Sequence, residues 1–105
     1  MIVRRKWTRG ELLVSLKIYC ELEFGQFHSH QPRIVEVSEY INRTPSSLAM
    51  KLCNFASLDP AMQGKGLKGA SKADSEIISE FLLQPEKMII DAEAAYARLL
   101  SSEFP

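Results

Sequence analysis

The sequence predicts an all-α domain: a three-helix helix-turn-helix core followed by two C-terminal buttressing helices. Three observations carry this. Apolar residues recur at i, i+3, i+4 and i+7 in successive segments of the 105 residues, which is the period of an amphipathic helix. Helix-start signals stand directly ahead of three of those segments: Thr8 with Glu11, Thr44 with Pro45, and Ser71 with Asp74. The one stretch rich in β-branched residues, "IVEVSEYI", has no partner strand to pair with.

Taken in order, "WTRGE" is a capping box, with Thr8 as cap, Glu11 returning the bond and Trp7 placed to pack on Leu12. Leu12, Leu13, Leu16, Tyr19 and Cys20 continue at helical spacing to residue 21. Gly25 and Pro32 break the pattern, and Phe24 and Phe27 pin the intervening loop to the core. A second helix over residues 32–41 carries Ile34, Val37 and Ile41 on one face. Asn42 suits the left-handed turn that ends it, and only Arg43 separates that turn from Thr44, the cap of a third helix over residues 45–56. Pro45 holds the favoured first position there, and Leu48, Leu52 and Phe55 form the buried stripe.

After it, "GKGLKGASK", residues 64–72, has three glycines and three lysines in nine residues and is a loop. Ser71 and Asp74 open a fourth helix with Ile77, Ile78, Phe81 and Leu82 inward, and Pro85 starts a fifth with Met88, Ala92, Ala95, Tyr96 and Leu99. The expected organisation is a single domain over 1–105: a helix-turn-helix core over 7–56, the Gly/Lys loop over 64–72, and C-terminal helices over 73–101.

Charge is distributed unevenly. The net charge is zero, yet residues 1–72 hold eleven Lys/Arg against six Asp/Glu while 73–105 hold two against seven. A basic working part and an acidic remainder follow. No apolar run is long enough to cross a bilayer. "MIVRRKW" leads into polar "TRGE" without an apolar core, so a secretory signal is not expected and the cytoplasm is the expected address. In that reducing compartment Cys20 and Cys53 are expected as small buried hydrophobes rather than as a disulfide.

A helix, a short turn and a capped helix, preceded by a longer amphipathic helix, is the layout in which the last helix enters the major groove. With Leu48, Leu52 and Phe55 inward, the opposite stripe is Ser47, Met50, Lys51 and Asn54. Those side chains suit base edges: Asn pairs bidentately with adenine, Lys with guanine acceptors, Ser with either, and Met offers an apolar surface to a thymine methyl. Expected backbone contacts are the arm Arg4, Arg5 and Lys6, the helix start Arg43, Thr44 and Ser46, and the loop cations Lys65, Lys68 and Lys72.

Catalysis is not expected. No nucleophile stands with a base, and Glu76, Glu80 and Asp91 read as a solvated acidic face. Zinc is not expected either, because Cys20, Cys53, His28 and His30 lack the tight ligand pairs of structural sites. The loop lacks the order of a nucleotide phosphate cradle. No cofactor is called for. The competing reading is a protein-interaction or dimerisation module docking through the fifth helix, residues 85–101, onto a nuclease domain or a second copy.

The run from Trp7 to Asp74 resembles the N-terminal domain that precedes the nuclease module in a family of bacterial HNH restriction endonucleases. The likeness is most specific at Trp7-Thr8 with Glu11, at Phe24-Gly25-Gln26 with His28-Ser29, and from Arg43 to Pro60. The first three helices are also similar, more loosely, to Myb-type DNA-binding units. The resemblance implies a DNA-binding specificity domain of a restriction system, one that senses sequence or modified bases. The residues of an HNH site are not present in this chain, so the resemblance implies no cutting by the chain itself.

Overall fold

The computed structural model describes residues 5–101. They form five α-helices with no strand among them: α1 (Arg9–Glu21), α2 (Pro32–Tyr40), α3 (Pro45–Leu58), α4 (Lys72–Leu83) and α5 (Pro85–Leu100). The all-α class read from the periodicity is the class observed. Single 3-10 turns at Phe24–Gln26 and Pro60–Met62 interrupt the connections after α1 and α3.

Local signals set the helix starts. Thr8 Oγ1 accepts from the Glu11 N–H at 3.1 Å and the Glu11 carboxylate accepts from the Thr8 N–H at 2.9 Å. Ser71 and Asp74 repeat this box at α4 with 3.1 and 2.9 Å. Thr44 caps α3 through the Ser47 N–H, and Asn42 ends α2 with φ of 57°. The cap of α2 is Gln31, whose side chain accepts from the N–H groups of Arg33 and Ile34.

α1 is apolar nearly all round, with Leu12, Leu13, Val14, Leu16, Ile18 and Tyr19 all buried, so it lies at the centre. α5 packs along it, α3 packs on α1, α2 and α4, and α4 rests on α3 and α5. Leu48, Leu52 and Phe55 of α3, Ile77 and Ile78 of α4 and Met88 of α5 close the core around it.

Three details differ from expectation. α3 continues two residues beyond the expected end, to Leu58. Leu82 is 48% exposed, because the inward stripe of α4 runs through Asp74, Ile77, Ile78 and Phe81 and position 82 falls at its edge. Cys20 is exposed beside Lys17 and Glu21 rather than buried, and both cysteines are free thiols.

Candidate nucleic-acid interface

α3 is buried on two sides rather than one. Leu48, Leu52 and Phe55 occupy the expected inward stripe, and Lys51 and Asn54, expected to face outward to bases, are only 8% and 7% exposed. The start of α4 and the Gly/Lys loop return onto this second flank and cover it.

Lys51 Nζ donates to both oxygens of Asp74, at 2.9 and 3.0 Å, and lies 4.9 Å from the centre of the Trp7 ring. On that same ring sits the Arg43 guanidinium, at 4.0 Å. Arg43 also donates to Glu11 at 3.1 Å and to the carbonyls of Arg5 and Lys6. Arg5 adds a hydrogen bond to Glu11 at 2.6 Å and one to the Ile41 carbonyl. Glu11 and Asp74, which open α1 and α4, thus also act as the anchors for three basic side chains. Burial pushes the Glu11 carboxyl up, but the hydrogen bonds from Arg43, the Thr8 N–H and Arg5 outweigh it and hold the group below the usual carboxylate range. Arg43 and Lys51, with side chains only 10% exposed, are therefore committed within the chain, which corrects their assignment as DNA contacts, whereas Arg5 holds Glu11 with its side chain 46% exposed.

Asn54 is committed too. Its Nδ2 donates to the Leu67 carbonyl at 2.8 Å, and the Leu67 N–H donates to the Cys53 carbonyl at 3.0 Å. Between them Gly66 sits at φ of +103° so close to α3 that a Cβ would lie 2.5 Å from the Cys53 oxygen and 2.6 Å from the Ser57 nitrogen. Only glycine permits that approach. The loop is a strap seated on the C-terminal half of α3.

What remains outward on α3 is a narrow stripe, Ser46 and Met50 exposed with Cys53 and Ser57 half-buried behind them, and Ser47 half-buried at its side. Thr44 is exposed at the cap. Lys6, Lys65, Lys68 and Lys72 are all exposed, and among the described residues none has a carboxylate within ion-pairing distance; Lys65 Nζ lies 5.8 Å from the centre of the Phe24 ring. Leu67, 46% exposed, lies on the strap one helical turn beyond Met50, which is itself 54% exposed. Arg4 lies outside the described residues.

Of the expected interface the structure leaves Ser46, Met50, Thr44 and four lysines exposed and Ser47 half-buried. It adds Leu67, which has no polar signature in the sequence and is found only through its backbone bonds to α3. The end of α3 is fixed separately: Asp59 accepts from the Tyr19 hydroxyl at 2.7 Å and from the Ala61 N–H. Burial, then that bond to Asp59, pushes the Tyr19 hydroxyl up.

His28 and His30 face each other with ring centres 6.4 Å apart, and His28 Nδ1 accepts from the His30 N–H. Among the described residues no group of three or more His, Cys, Asp or Glu side chains is gathered as a metal site would require, and no helix is long and apolar enough to cross a membrane. On the acidic face, Glu80 pairs with Arg9 and Asp91 with Lys87.

No protein-family model, curated protein or solved structure matches this chain.

Proposed function

We propose that this chain is a double-stranded DNA-binding domain that grips the backbone through Lys6, Lys65, Lys68 and Lys72 and presents Ser46, Ser47 and Met50 at the start of α3 to the groove. One observation carries the reading. Of the ten Lys and Arg side chains in the described part of the basic segment, six are spent on carboxylates within the chain, and of the four left over Lys65 and Lys68 belong to the strap that bonds to α3. Lys6 adjoins the carbonyl that Arg43 holds, Lys65 and Lys68 flank the strap, and Lys72 opens α4 beside the Lys51–Asp74 pair. The positive end of the α3 dipole points to the same side as its exposed cap Thr44. Base reading narrows to Ser47 and Met50, since Lys51 and Asn54 are turned away. A role as the specificity part of a restriction system rests on the sequence resemblance.

Titration of a labelled random duplex at two or more salt concentrations tests the proposal. With about four phosphates neutralised, log K falls against log salt with a slope near −3.6. A slope of zero, or no binding at low salt, overturns it.

A further inference from the structure

Leu67 is held out in water by its own backbone. Its N–H donates to the Cys53 carbonyl at 3.0 Å and its carbonyl accepts from Asn54 Nδ2 at 2.8 Å, so both polar groups of the residue are fixed on α3 while the residue stays 46% exposed. Asn54 is itself buried, and this bond satisfies its Nδ2 inside the fold. Positive φ at Gly66 and Gly69, +103° and +107°, turns the chain on either side of Leu67.

The charge around this leucine is of one sign. No Asp or Glu occurs from Pro60 to Ala73, whereas Lys65, Lys68 and Lys72 do, in a chain whose net charge is zero. Lys65 and Lys68 bracket Leu67 in the strap, and neither has a carboxylate within ion-pairing distance among the described residues. An apolar tip between free cations suits a polyanion whose interior is apolar, which is what stacked bases behind phosphates are. One leucine buries too little apolar area to hold a membrane surface.

The strap also limits how α3 meets a duplex. The major groove is about 12 Å wide and a bare helix of about 10 to 12 Å fills it. With the strap on its flank α3 is too broad to lie lengthwise there, and only its start enters. Leu67 is bonded to Cys53 and Asn54, seven and eight residues beyond Ser46, which at the helical rise is about 10 to 12 Å along the axis. That is more than half the groove width. With Ser46 in the major groove, Leu67 therefore lies past the bordering phosphate strand, at the mouth of the minor groove.

Resting on the reading of this chain as a DNA-binding domain, we propose that Leu67 is a wedge, which enters the minor groove between two stacked base pairs and kinks the duplex while Lys65 and Lys68 hold the phosphates on either side. Apolar side chains inserted in this way unstack a base step and bend the duplex by about 20 to 90°. Pyrimidine–purine steps such as TA unstack most readily. The wedge thus gives the domain a preference for such a step without a hydrogen bond to any base.

Energy transfer between dyes on the two ends of a short duplex with one central TA step, measured at saturating protein and low salt, is the test. The expected result is a rise in transfer on binding. L67A should keep its helicity, because the residue is anchored by backbone bonds, and should keep the salt slope, because the lysines are intact, yet leave the bound duplex as straight as the free one. The unchanged protein should also bind a duplex with a single unpaired base, where stacking is already broken, roughly 10-fold more tightly than the paired one. A bound duplex that stays straight overturns the wedge and leaves DNA binding standing. So does an L67A that bends the duplex as far as the parent, or equal affinity for the two duplexes. No binding to any duplex, or capture of anionic vesicles in its place, overturns both readings together.

Discussion

Lys51 and Asp74 join α3 to the start of α4 through two hydrogen bonds, and the same carboxylate closes the capping box on Ser71. Asp74 therefore has two partners on one side of α4: the backbone of its own helix and a cation from another. Neutralising either residue alone leaves a buried charge without its counterpart.

For that reason Lys51→Met should destabilise the fold by about 3 to 5 kcal/mol, the usual cost of breaking one side of a buried pair, measured by urea denaturation. A change below about 0.5 kcal/mol, typical of a surface position, would show Lys51 to be free for a ligand.

Leu52 lies at 0% exposure where α3 faces α1 and α4. Truncation to alanine should cost about 2 to 5 kcal/mol through the cavity it leaves. Met50→Ala, one turn-edge away but exposed, should leave the denaturation midpoint nearly unchanged and reduce discrimination among duplexes that differ in thymine content.

Gly66→Ala should lift the strap. The added methyl meets the Cys53 oxygen and Ser57 nitrogen, and alanine at that positive φ is itself strained. Hydrogen exchange at the Leu67 amide, protected by the Cys53 carbonyl, should accelerate while the amides of α1 stay protected. If the lysine grip is correct, DNA affinity falls in the same variant, because Lys65 and Lys68 lose their fixed positions. An unchanged Leu67 amide would mean that the loop tolerates a side chain there.

The salt response should divide among the lysines. Each of Lys65→Ala, Lys68→Ala and Lys72→Ala should weaken binding to all duplexes alike and reduce the magnitude of the salt slope by about 1. Arg43→Ala should instead act on stability, since its guanidinium is occupied by Glu11 and Trp7. A lysine variant that changes sequence preference but not slope would place that residue on a base edge.

Acid should loosen the N-terminal junction. The Glu11 carboxyl is depressed in the folded chain, so its contribution is complete above the unfolded value of about 4.3 and is lost as pH falls through the lower folded value. Stability should thus rise with pH across that acidic window. Glu11→Gln should flatten the rise when denaturation is followed between about pH 2 and 5.

What was legible in the sequence is what depends on neighbours in the chain. Thr8 with Glu11, Thr44 with Pro45, Ser71 with Asp74 and the left-handed Asn42 are decided within a few residues, and each occurs as expected. The inward stripe of α3 also follows from spacing alone. The orientation of Lys51 and Asn54 does not, because it is set by residues 13 and 23 positions further on, Leu67 and Asp74. Spacing alone predicts that Lys51 and Asn54 face solvent, yet each has a polar partner inside the fold. Arg43 differs from expectation for the same reason: a buried basic residue counts little toward an external field once a carboxylate of the fold has captured it, and Glu11 holds this one.

Trp7 is the single tryptophan of the chain, and its half-buried ring is flanked by Arg43 and Lys51 where the N-terminal segment, α3 and α4 meet. The protein thereby contains a built-in optical probe of that junction. Cations close to an indole shift and quench its emission, so its fluorescence reports the departure of Arg43 or Lys51 from that ring. Monitored beside circular dichroism, it separates an opening of the junction from global unfolding without the attachment of a dye.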